Sequence, residues 1–402
     1  MTTQAENEAL TRVGPGSPAG ELLRRYWHPV AVAGELTDEK PIKAVRLLGE
    51  KLVVFRLPRG AGDAAQRYGL VAEQCRHRLA SMAYGQVDAE GIRCPYHGWK
   101  YDLAGQCVDQ PAEPPDSTYK SRIRQPAYPV RKLGGLLFAY LGPEPAPLLP
   151  RWDVLAREDG RRWIVIDSVI DCNWLQPMEN SVDPAHFYFL HGSLSRPEVL
   201  GPRRMAKYDE KHEFTRFEYG IMKRRITPGR NLGDPPMIDE HPLLFPTTLR
   251  LDIDVRGSHE VRHVLQIRVP IDDTHTQHYS INFIPSVTET SPADQDPPHE
   301  RCALKNAEGE YNMDLVLAQD SMAWETQGDI TDRTQEHLAT SDRGVVLFRR
   351  ALLEQIERIE AGKDPIGTLR DPAKNHPWIE LPRETSLGFS FVGARFSAIH
   401  KY

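Results

Sequence analysis

Residues 75–102 read CRHRLASMAYGQVDAEGIRCPYHGWKYD, and a pair of metal-binding side chains stands near each end of this stretch. Cys75 and His77 form a C-x-H pair, and after sixteen intervening residues Cys94 and His97 form a C-x-x-H pair. Each pair offers one thiolate and one imidazole. Two thiolates and two imidazoles suit either an iron–sulfur cluster or a single zinc ion.

The mixed composition of each pair favours the cluster. Two cysteines on one iron and two histidines on the other are the ligands of a Rieske [2Fe–2S] centre, whose nitrogen ligands raise its reduction potential. Zinc takes the same atoms, but zinc motifs more often pair cysteine with cysteine and histidine with histidine. The flanking PYHGWKYD, residues 95–102, resembles the second half of the Rieske signature. Leu79 departs from that signature, which usually has glycine after His-Arg; the departure concerns the packing of the loop and not the ligands.

The composition excludes several classes of protein. Of the 402 residues, 40% are hydrophobic and 26% are charged, as in ordinary globular proteins. The 50 basic and 56 acidic residues give a net charge of −6, which is too little positive charge for a nucleic-acid surface. The five cysteines, an odd number, argue against a disulfide framework. Because no secretory signal and no apolar run of membrane-spanning length is present, we expect a cytoplasmic protein without membrane contact.

A run of prolines near residue 150 divides the chain. Four prolines lie between residues 143 and 150, which favours extended backbone and marks a boundary. The sequence therefore predicts an N-terminal segment over residues 1–25, a first domain over 26–150 and a second domain over 151–402.

Hydrophobic periodicity predicts mainly strands, with one long helix near the end. The predicted strands are a hairpin over 42–57 with its turn at Gly49-Glu50, a hairpin over 248–272 with its turn at Arg256-Gly257, and single strands over 161–174 and 274–285. A helical segment is predicted over residues 173–192. A second, amphipathic helix is predicted from apolar residues at steps of three and four, Val345, Phe348, Leu352, Ile356 and Ile359.

A second metal site is predicted within ENSVDPAHFYFLH, residues 179–191. Asp183 and His186 are three residues apart and share a helix face. His186 and His191 are five apart, so their imidazoles converge only where the helix is distorted or ends. Two histidines and a carboxylate on one side of an iron form the facial triad of non-heme Fe(II) oxygenases. The third ligand is expected in residues 314–329, where spacing alone leaves four candidates open: Asp314, Asp320, Glu325 and Asp329.

Together these stretches resemble the oxygenase (alpha) subunit of Rieske non-heme iron aromatic-ring-hydroxylating oxygenases, in the branch of phthalate dioxygenase, chlorobenzoate dioxygenase and aromatic O-demethylases. Residues 10–30 and 319–350 also carry the likeness. The resemblance implies an α+β fold, with an N-terminal all-β Rieske domain and a C-terminal helix-grip catalytic domain that contains an antiparallel sheet and helices.

The resemblance also implies roles for individual residues. It implies Cys75, His77, Cys94 and His97 as cluster ligands, and it selects Asp320 to complete an iron site with His186 and His191. Asp183 matches the acid that joins a cluster histidine of one subunit to an iron histidine of the next, in a homotrimer without a second type of subunit. Asn180 is a further candidate at the catalytic site.

The implied activity is that of a terminal oxygenase, which receives electrons from an NAD(P)H-dependent flavin and iron–sulfur reductase. With O2 it hydroxylates the ring of an aromatic carboxylic acid or removes an O-methyl group. A substrate carboxylate needs a cation, and Arg216 and Arg224 are our candidates, within a basic run that also holds Lys223 and Arg225. Apolar neighbours of the iron are expected to be Phe187, Phe189 and Trp324. The alternative is a non-catalytic Rieske electron carrier or a zinc-stabilised binding protein.

Overall fold

The structure is a computed structural model that describes residues 2–60, 67–191, 210–229, 233–255, 260–293 and 295–384. The predicted turn at Arg256-Gly257 lies outside these residues. The described part of the chain contains four sheets, three of them small and formed before residue 141, and one large sheet formed after residue 159. No helix in the described ranges is long and apolar enough to cross a membrane.

Three small antiparallel sheets build the N-terminal part. Their strands are β1 Trp27–Val32, β2 Ile42–Leu47, β3 Glu50–Arg56, β4 Tyr68–Ala72, β5 Gln86–Asp88, β6 Gly91–Arg93, β7 Lys100–Tyr101, β8 Cys107–Asp109, β9 Ala127–Tyr128, β10 Val130–Leu133 and β11 Leu136–Tyr140. The strand orders are β1-β11-β10, β2-β3-β4-β9 and β5-β6-β7-β8. The predicted all-β architecture of this part is confirmed.

The hairpin predicted over residues 42–57 is present, but its turn lies one residue earlier than predicted. The central residues are Leu48 and Gly49, with φ of 50° and 79°, and β3 already starts at Glu50. Two positive φ angles in succession are what a two-residue hairpin turn requires, because they match the twist of the flanking strands. The turn donates backbone hydrogen bonds to the C-terminal part, from Leu48 N to Pro270 O (3.0 Å) and from Gly49 N to Ile271 O (2.8 Å).

An eight-stranded sheet dominates the C-terminal part. Its strands are β12 Gly160–Asp167, β13 Lys211–Phe217, β14 Gly220–Thr227, β15 Met237–Leu244, β16 Thr248–Val255, β17 Glu260–Pro270, β18 Thr276–Pro285 and β19 His299–Cys302, in the order β13-β14-β15-β16-β17-β18-β12-β19. All neighbours are antiparallel except β12 and β19. The predicted hairpin over 248–272 and the strand over 274–285 are confirmed, whereas the strand predicted over 161–174 ends at Asp167.

Six α-helices and one π-helix lie in the described ranges. They are α1 Gln4–Thr11, α2 Pro18–Leu23, α3 Asp153–Ala156, α4 Leu175–Ser181, a π-helix at Phe187–His191, α5 Val316–Glu325 and α6 Arg343–Glu360. Short 3-10 helices lie at Ala33–Glu35, Met82–Tyr84, Tyr119–Arg122, Thr340–Asp342 and Pro372–Asn375. The amphipathic pattern predicted for α6 is confirmed, because all five of its marked apolar residues are buried. Phe348 of α6 packs edge-on against Phe245 with ring centroids 5.5 Å apart.

Candidate metal centres and the adjoining cavity

Two loops of the N-terminal part bring the first four predicted ligands together. Cys75 and Cys94 are buried, and the Tyr101 hydroxyl lies 3.3 Å from the Cys75 sulfur. The imidazoles of His77 and His97 have ring centroids 4.6 Å apart. The indole of Trp99 stacks on His77 at 4.2 Å and fixes the plane of that ring. The two imidazoles therefore lie next to each other and the two buried thiols are neighbours, which is the grouping that the predicted cluster requires.

The chemistry of these side chains fits a bound cluster. His77 Nδ1 is buried and has no hydrogen-bond partner among the described residues, which is costly for a polar atom unless a ligand such as a metal ion satisfies it. Burial raises the pKa of the Cys94 thiol, and the neighbouring Cys75 adds to that effect. Two adjacent sulfurs therefore become thiolates only beside a cation, which the irons of a [2Fe–2S] cluster provide.

Leu79 explains why a glycine is usual at its position in this signature. Its φ is 62°, in the left-handed region that glycine adopts without steric cost. The Leu79 amide nevertheless donates to the Cys75 carbonyl at 2.9 Å, so the loop keeps its shape at the expense of backbone strain. The leucine side chain is 61% exposed and contributes little packing in return.

Leu79→Gly is expected to stabilise the folded protein by up to about 1 kcal/mol. Relief of roughly 1–2 kcal/mol of left-handed strain exceeds the added entropy of a glycine in the unfolded chain. Thermal unfolding of the cluster-loaded protein measures the gain. Leu79→Ala is the matched control, because it removes the exposed side chain and keeps the strained Cβ. An equal gain in both variants would attribute the effect to the side chain instead.

The second group of predicted ligands converges between α5 and the segment that follows α4. His191 Nε2 lies 3.3 Å from Asp320 Oδ1, and His186 Nε2 lies 3.8 Å from the same oxygen. The ligand atoms of these three residues all lie within 4.8 Å of one another. Of the four carboxylates that spacing left open, the structure places Asp320 beside the histidines, while Glu325 bonds to Lys305 and Tyr311.

A π-helix makes this convergence possible. The helical segment predicted over 173–192 is broken: α4 ends at Ser181, and residues Phe187–His191 then form a π-helix. In an α-helix, residues five apart point in different directions around the helix axis. The wider turn of a π-helix closes with i to i+5 hydrogen bonds, so residues five apart lie on the same side of the helix. The distortion predicted between His186 and His191 is therefore present, and their ring centroids are 5.4 Å apart.

Hydrogen bonds to carbonyl oxygens fix the tautomer of both imidazoles. His191 Nδ1 donates to Gln319 Oε1 (2.8 Å), and Gln319 Nε2 donates to the Met313 carbonyl (2.7 Å). His186 Nδ1 donates to the backbone carbonyl of Asp183. Because both Nδ1 atoms carry hydrogen, both Nε2 atoms are left to face Asp320, which is the arrangement that metal-ligating histidines use.

The electrostatics of this group fit a metal ion. Burial lowers the pKa of His186 to about 4, which keeps its imidazole neutral. Burial alone would raise the pKa of Asp320, but the adjacent His191 and the charge of Arg268 outweigh it and lower that pKa. Asp320 Oδ1 is buried without a hydrogen-bond partner in the described part of the chain. A divalent cation between the three side chains would satisfy this oxygen.

A cavity opens beside these three residues. Its lining includes apolar side chains of β16 and α5 and buried cations of β14 and β17; among the residues that form it are Asn180, Phe187, Lys223, Leu249, Leu251 and Arg268. Phe187 lines the cavity beside His191, with ring centroids 5.6 Å apart. Phe189 is exposed and Trp324 is buried in a separate apolar cluster, so neither lines the cavity.

The structure places both predicted substrate cations outside the cavity. Arg216 pairs with Glu354 on the surface, and Arg224 donates to Glu384 at 3.1 Å on the outer face of the sheet. Neither lines the cavity, whereas Lys223 and Arg225 of the same basic run do. Successive residues of a strand point to opposite faces, so within β14 the residues on either side of Arg224 face inward.

Several residues at the cavity were missed by sequence reasoning. Gln319 orients His191, Arg268 lies on β17 with Gln266, and Asp239 of β15 holds both Arg225 (2.9 Å) and His241 (3.1 Å). The sequence carries no signal for Arg268 and Gln266, because they lie on the polar side of a strand that alternates polar and apolar residues, and such a side usually faces solvent.

A cluster-binding β domain joined to a second domain with a two-histidine, one-carboxylate site defines the class of Rieske non-heme iron oxygenases. Comparisons with known proteins agree. The Rieske [2Fe-2S] domain model matches residues 26–129, and a model described as LigXa C-terminal domain like matches residues 299–377.

Relatives extend the likeness over nearly the whole chain. The oxygenase subunit of 5,5'-dehydrodivanillate O-demethylase from Sphingobium sp. is 41% identical, over 95% of this chain and 87% of its own. The oxygenase subunit of phthalate 4,5-dioxygenase from Pseudomonas putida is 31% identical, over 92% and 89%. In fold, the chain is similar to NdmA of Pseudomonas putida CBB5 with caffeine, with a TM-score of 0.67 and 24% identity over 90% of this chain and 98% of that one.

This chain therefore belongs to the Rieske oxygenase family, as the terminal oxygenase subunit of a multicomponent system. Such enzymes use a [2Fe–2S] cluster and a mononuclear iron, and they receive electrons from a reductase. The predicted fold class is confirmed. The alternative of an electron carrier or zinc-stabilised protein is set aside, because the relatives that match more than nine-tenths of this chain are oxygenase subunits.

Proposed function

We propose that this oxygenase acts on an aromatic carboxylic acid, by ring hydroxylation or by O-demethylation. One observation carries the proposal: Arg268 lines the cavity beside the iron ligands, and its Nε and Nη1 atoms are buried without a hydrogen-bond partner among the described residues. A buried guanidinium in this state is stabilised by an anion, and a carboxylate matches its geometry. Leu249, Leu251 and Val316 offer an apolar surface to an aromatic ring.

The ligand roles belong to this proposal. Cys75, His77, Cys94 and His97 would hold the cluster, and the iron would bind to His186, His191 and Asp320. When bound, the iron supplies the activation of O2. The protein contributes the fixed orientation of the two imidazoles, through Gln319 and the Asp183 carbonyl, and an apolar wall that includes Phe187 and excludes water from the reacting ring. Asn180 lines the cavity, where we propose that it contacts the substrate.

We also propose a homotrimer in which the cluster of one subunit serves the iron of the next. Asp183 would join the two centres. Its carboxylate accepts from Ala185 N (2.9 Å) and lies 3.8 Å from His186 Nδ1, and it is partly exposed, so a neighbouring subunit can reach it. Near the cluster ligands in sequence, Tyr84 and Tyr96 are 81% and 57% exposed, and exposed aromatic side chains of this kind favour a protein partner.

Light scattering of the purified protein is expected to give three times the mass of one chain. A trimer covers the exposed aromatic residues near the cluster ligands and shortens the electron path to the neighbouring iron. A mass of one chain over the concentration range used for activity would contradict the route between subunits.

The division of the chain at residues 25 and 150 and a cytoplasmic location also stay predictions.

Product analysis tests the reaction. The holoenzyme is given a reductase, NADH, 18O2 and a panel of phthalates, halobenzoates and methoxybenzoates, and products are identified by mass spectrometry. A diol with two labelled oxygens indicates ring dioxygenation, and a phenol with released formaldehyde indicates O-demethylation. No product from any acid, with the cluster shown to be reducible, would overturn the proposed substrate class.

A further inference from the structure

The Arg268 guanidinium has a buried neighbour that the proposed function does not use. His278 of β18 is fully buried, and its Nε2 atom has no hydrogen-bond partner in the described part of the chain. In the register of β17 and β18, His278 stands directly opposite Arg268. Side chains directly opposite each other in an antiparallel pair lie on the same face, with Cβ atoms about 5 Å apart. His278 therefore lies beside the residue that we propose binds the substrate carboxylate.

Asp167 fixes the orientation of the His278 imidazole. It is the last residue of β12, the strand next to β18, and its Oδ2 atom lies 2.6 Å from His278 Nδ1. Burial lowers the pKa of His278 against the opposing effect of Asp167, and the charge of Arg268 lowers it further, so the imidazole is neutral. A neutral imidazole that donates from Nδ1 to a carboxylate leaves Nε2 as a hydrogen-bond acceptor.

Arg268 offers the donor that this acceptor lacks. Its Nη2 atom donates to Gln266 Oε1 at 2.8 Å, whereas Nε and Nη1 are buried without a partner among the described residues. A guanidinium has five N–H donors, so a bond to His278 still leaves donors for a substrate carboxylate. A buried donor and a buried acceptor are each costly when unpaired, and a hydrogen bond between them, direct or through one water molecule, satisfies both.

We propose that Asp167 and His278 are positioning residues: Asp167 orients His278, and His278 Nε2 accepts a hydrogen bond from Arg268 and holds its guanidinium toward the cavity. This inference rests on the proposed role of Arg268 in binding the substrate. Asp167 also contributes its charge. Burial lowers the pKa of Arg268 to about 10, and the charges of Asp320 and Asp167 oppose that lowering. Because a metal ion neutralises the charge of Asp320, the contribution of Asp167 is larger in the iron-loaded enzyme.

A crystal structure of the iron-loaded enzyme tests the contact directly. Nε or Nη1 of Arg268 is expected within about 3.2 Å of His278 Nε2, or joined to it by a single water molecule that contacts both atoms. A guanidinium that contacts neither His278 nor such a water molecule overturns the inference. This result does not depend on which compound the enzyme oxidises.

Calorimetric titration of the anaerobic holoenzyme tests the consequence for binding. The ligands are phthalate, 3-chlorobenzoate and 3-methoxybenzoate, each compared with its uncharged amide. His278→Phe keeps an aromatic ring and removes both nitrogens. We expect it to weaken acid binding about tenfold and to leave amide binding, iron content and the cluster spectrum unchanged, because only the charged ligand depends on the orientation of Arg268. His278→Gln retains an acceptor near the position of Nε2 and is expected to restore part of the loss.

His275→Phe is the matched control. His275 directly precedes the same strand, and its Nδ1 lies 2.7 Å from Asp272 Oδ1, but its side chain is 43% exposed. This variant is expected to keep the wild-type ratio of acid to amide affinity. A wild-type ratio in His278→Phe overturns the inference, as does an equal loss in the control. If His278→Phe does not fold, Asp167→Asn replaces it in this comparison, with a smaller loss expected in the same direction.

Failure of this inference and failure of the proposed function give different results. Acids that bind more tightly than their amides to the wild-type enzyme, and equally so to His278→Phe, reject only the positioning role. If no acid binds the wild-type enzyme more tightly than its amide, the aromatic-acid substrate is rejected, and the crystal structure then decides whether His278 holds Arg268.

Discussion

Asp320→Ala is expected to abolish substrate oxidation and to leave the visible spectrum of the cluster intact. The variant loses the carboxylate of the proposed iron site, while Cys75 and His77 in the other domain are untouched. Metal analysis is expected to fall from about three irons per chain to about two, since the [2Fe–2S] cluster is retained. Loss of metal-assisted chemistry raises the activation free energy by several kcal/mol, so we expect turnover to fall at least ~1000-fold.

Asp329→Ala is the matched control. Asp329 is one of the four carboxylates that spacing alone left open, and it is exposed nine residues after Asp320. We expect wild-type iron content and turnover from this variant. Retained turnover in Asp320→Ala would remove Asp320 from the iron site, and a lost cluster spectrum would show that the substitution acts on folding rather than on the metal.

The features predicted from sequence are those formed by residues close together in the chain. Cys75 with His77 and Cys94 with His97 each lie within one loop, so a short stretch of sequence is enough to mark all four as candidate metal ligands. The amphipathic helix α6 was predicted for the same reason, because the period of its apolar residues follows from helix geometry alone. In both cases the information needed is contained within about twenty residues.

The cavity could not be predicted in this way, because it is assembled from residues far apart in the chain. The pairing of β17 with β16 and β18 follows from consecutive hairpins, but the position of Arg268 beside His186, His191 and Asp320 is a tertiary contact that no local pattern specifies. Whether Arg224 or Lys223 points into the cavity depends on which face of β14 is inward. A shift of one residue in the strand register would exchange the two. Sequence reasoning chose the outward residue.

Glu179→Ala is expected to destabilise the protein by about 3–5 kcal/mol. Glu179 of α4 is buried between two arginines: Arg333 donates to both of its carboxylate oxygens at 2.9 and 2.8 Å, and Arg349 of α6 donates at 2.6 Å. These guanidiniums lower the pKa of Glu179 although burial opposes them, so the carboxylate is charged at neutral pH. Removing it leaves Arg333 buried without its ion pair, which costs far more than loss of a surface pair.

Glu354→Ala is the control for this prediction, and the free energy of unfolding of both variants is measured by urea unfolding of the holoenzyme. Glu354 also pairs with an arginine, Arg216, but both side chains are about two-fifths exposed, so its loss is expected to cost at most about 1 kcal/mol. Glu179 directly precedes Asn180 and anchors α4 ahead of His186, so its loss is also expected to disorder the iron site and to lower iron content. Equal effects of the two substitutions would mean that the buried triad contributes no more than a surface pair, and α4 would then owe its position to apolar packing alone.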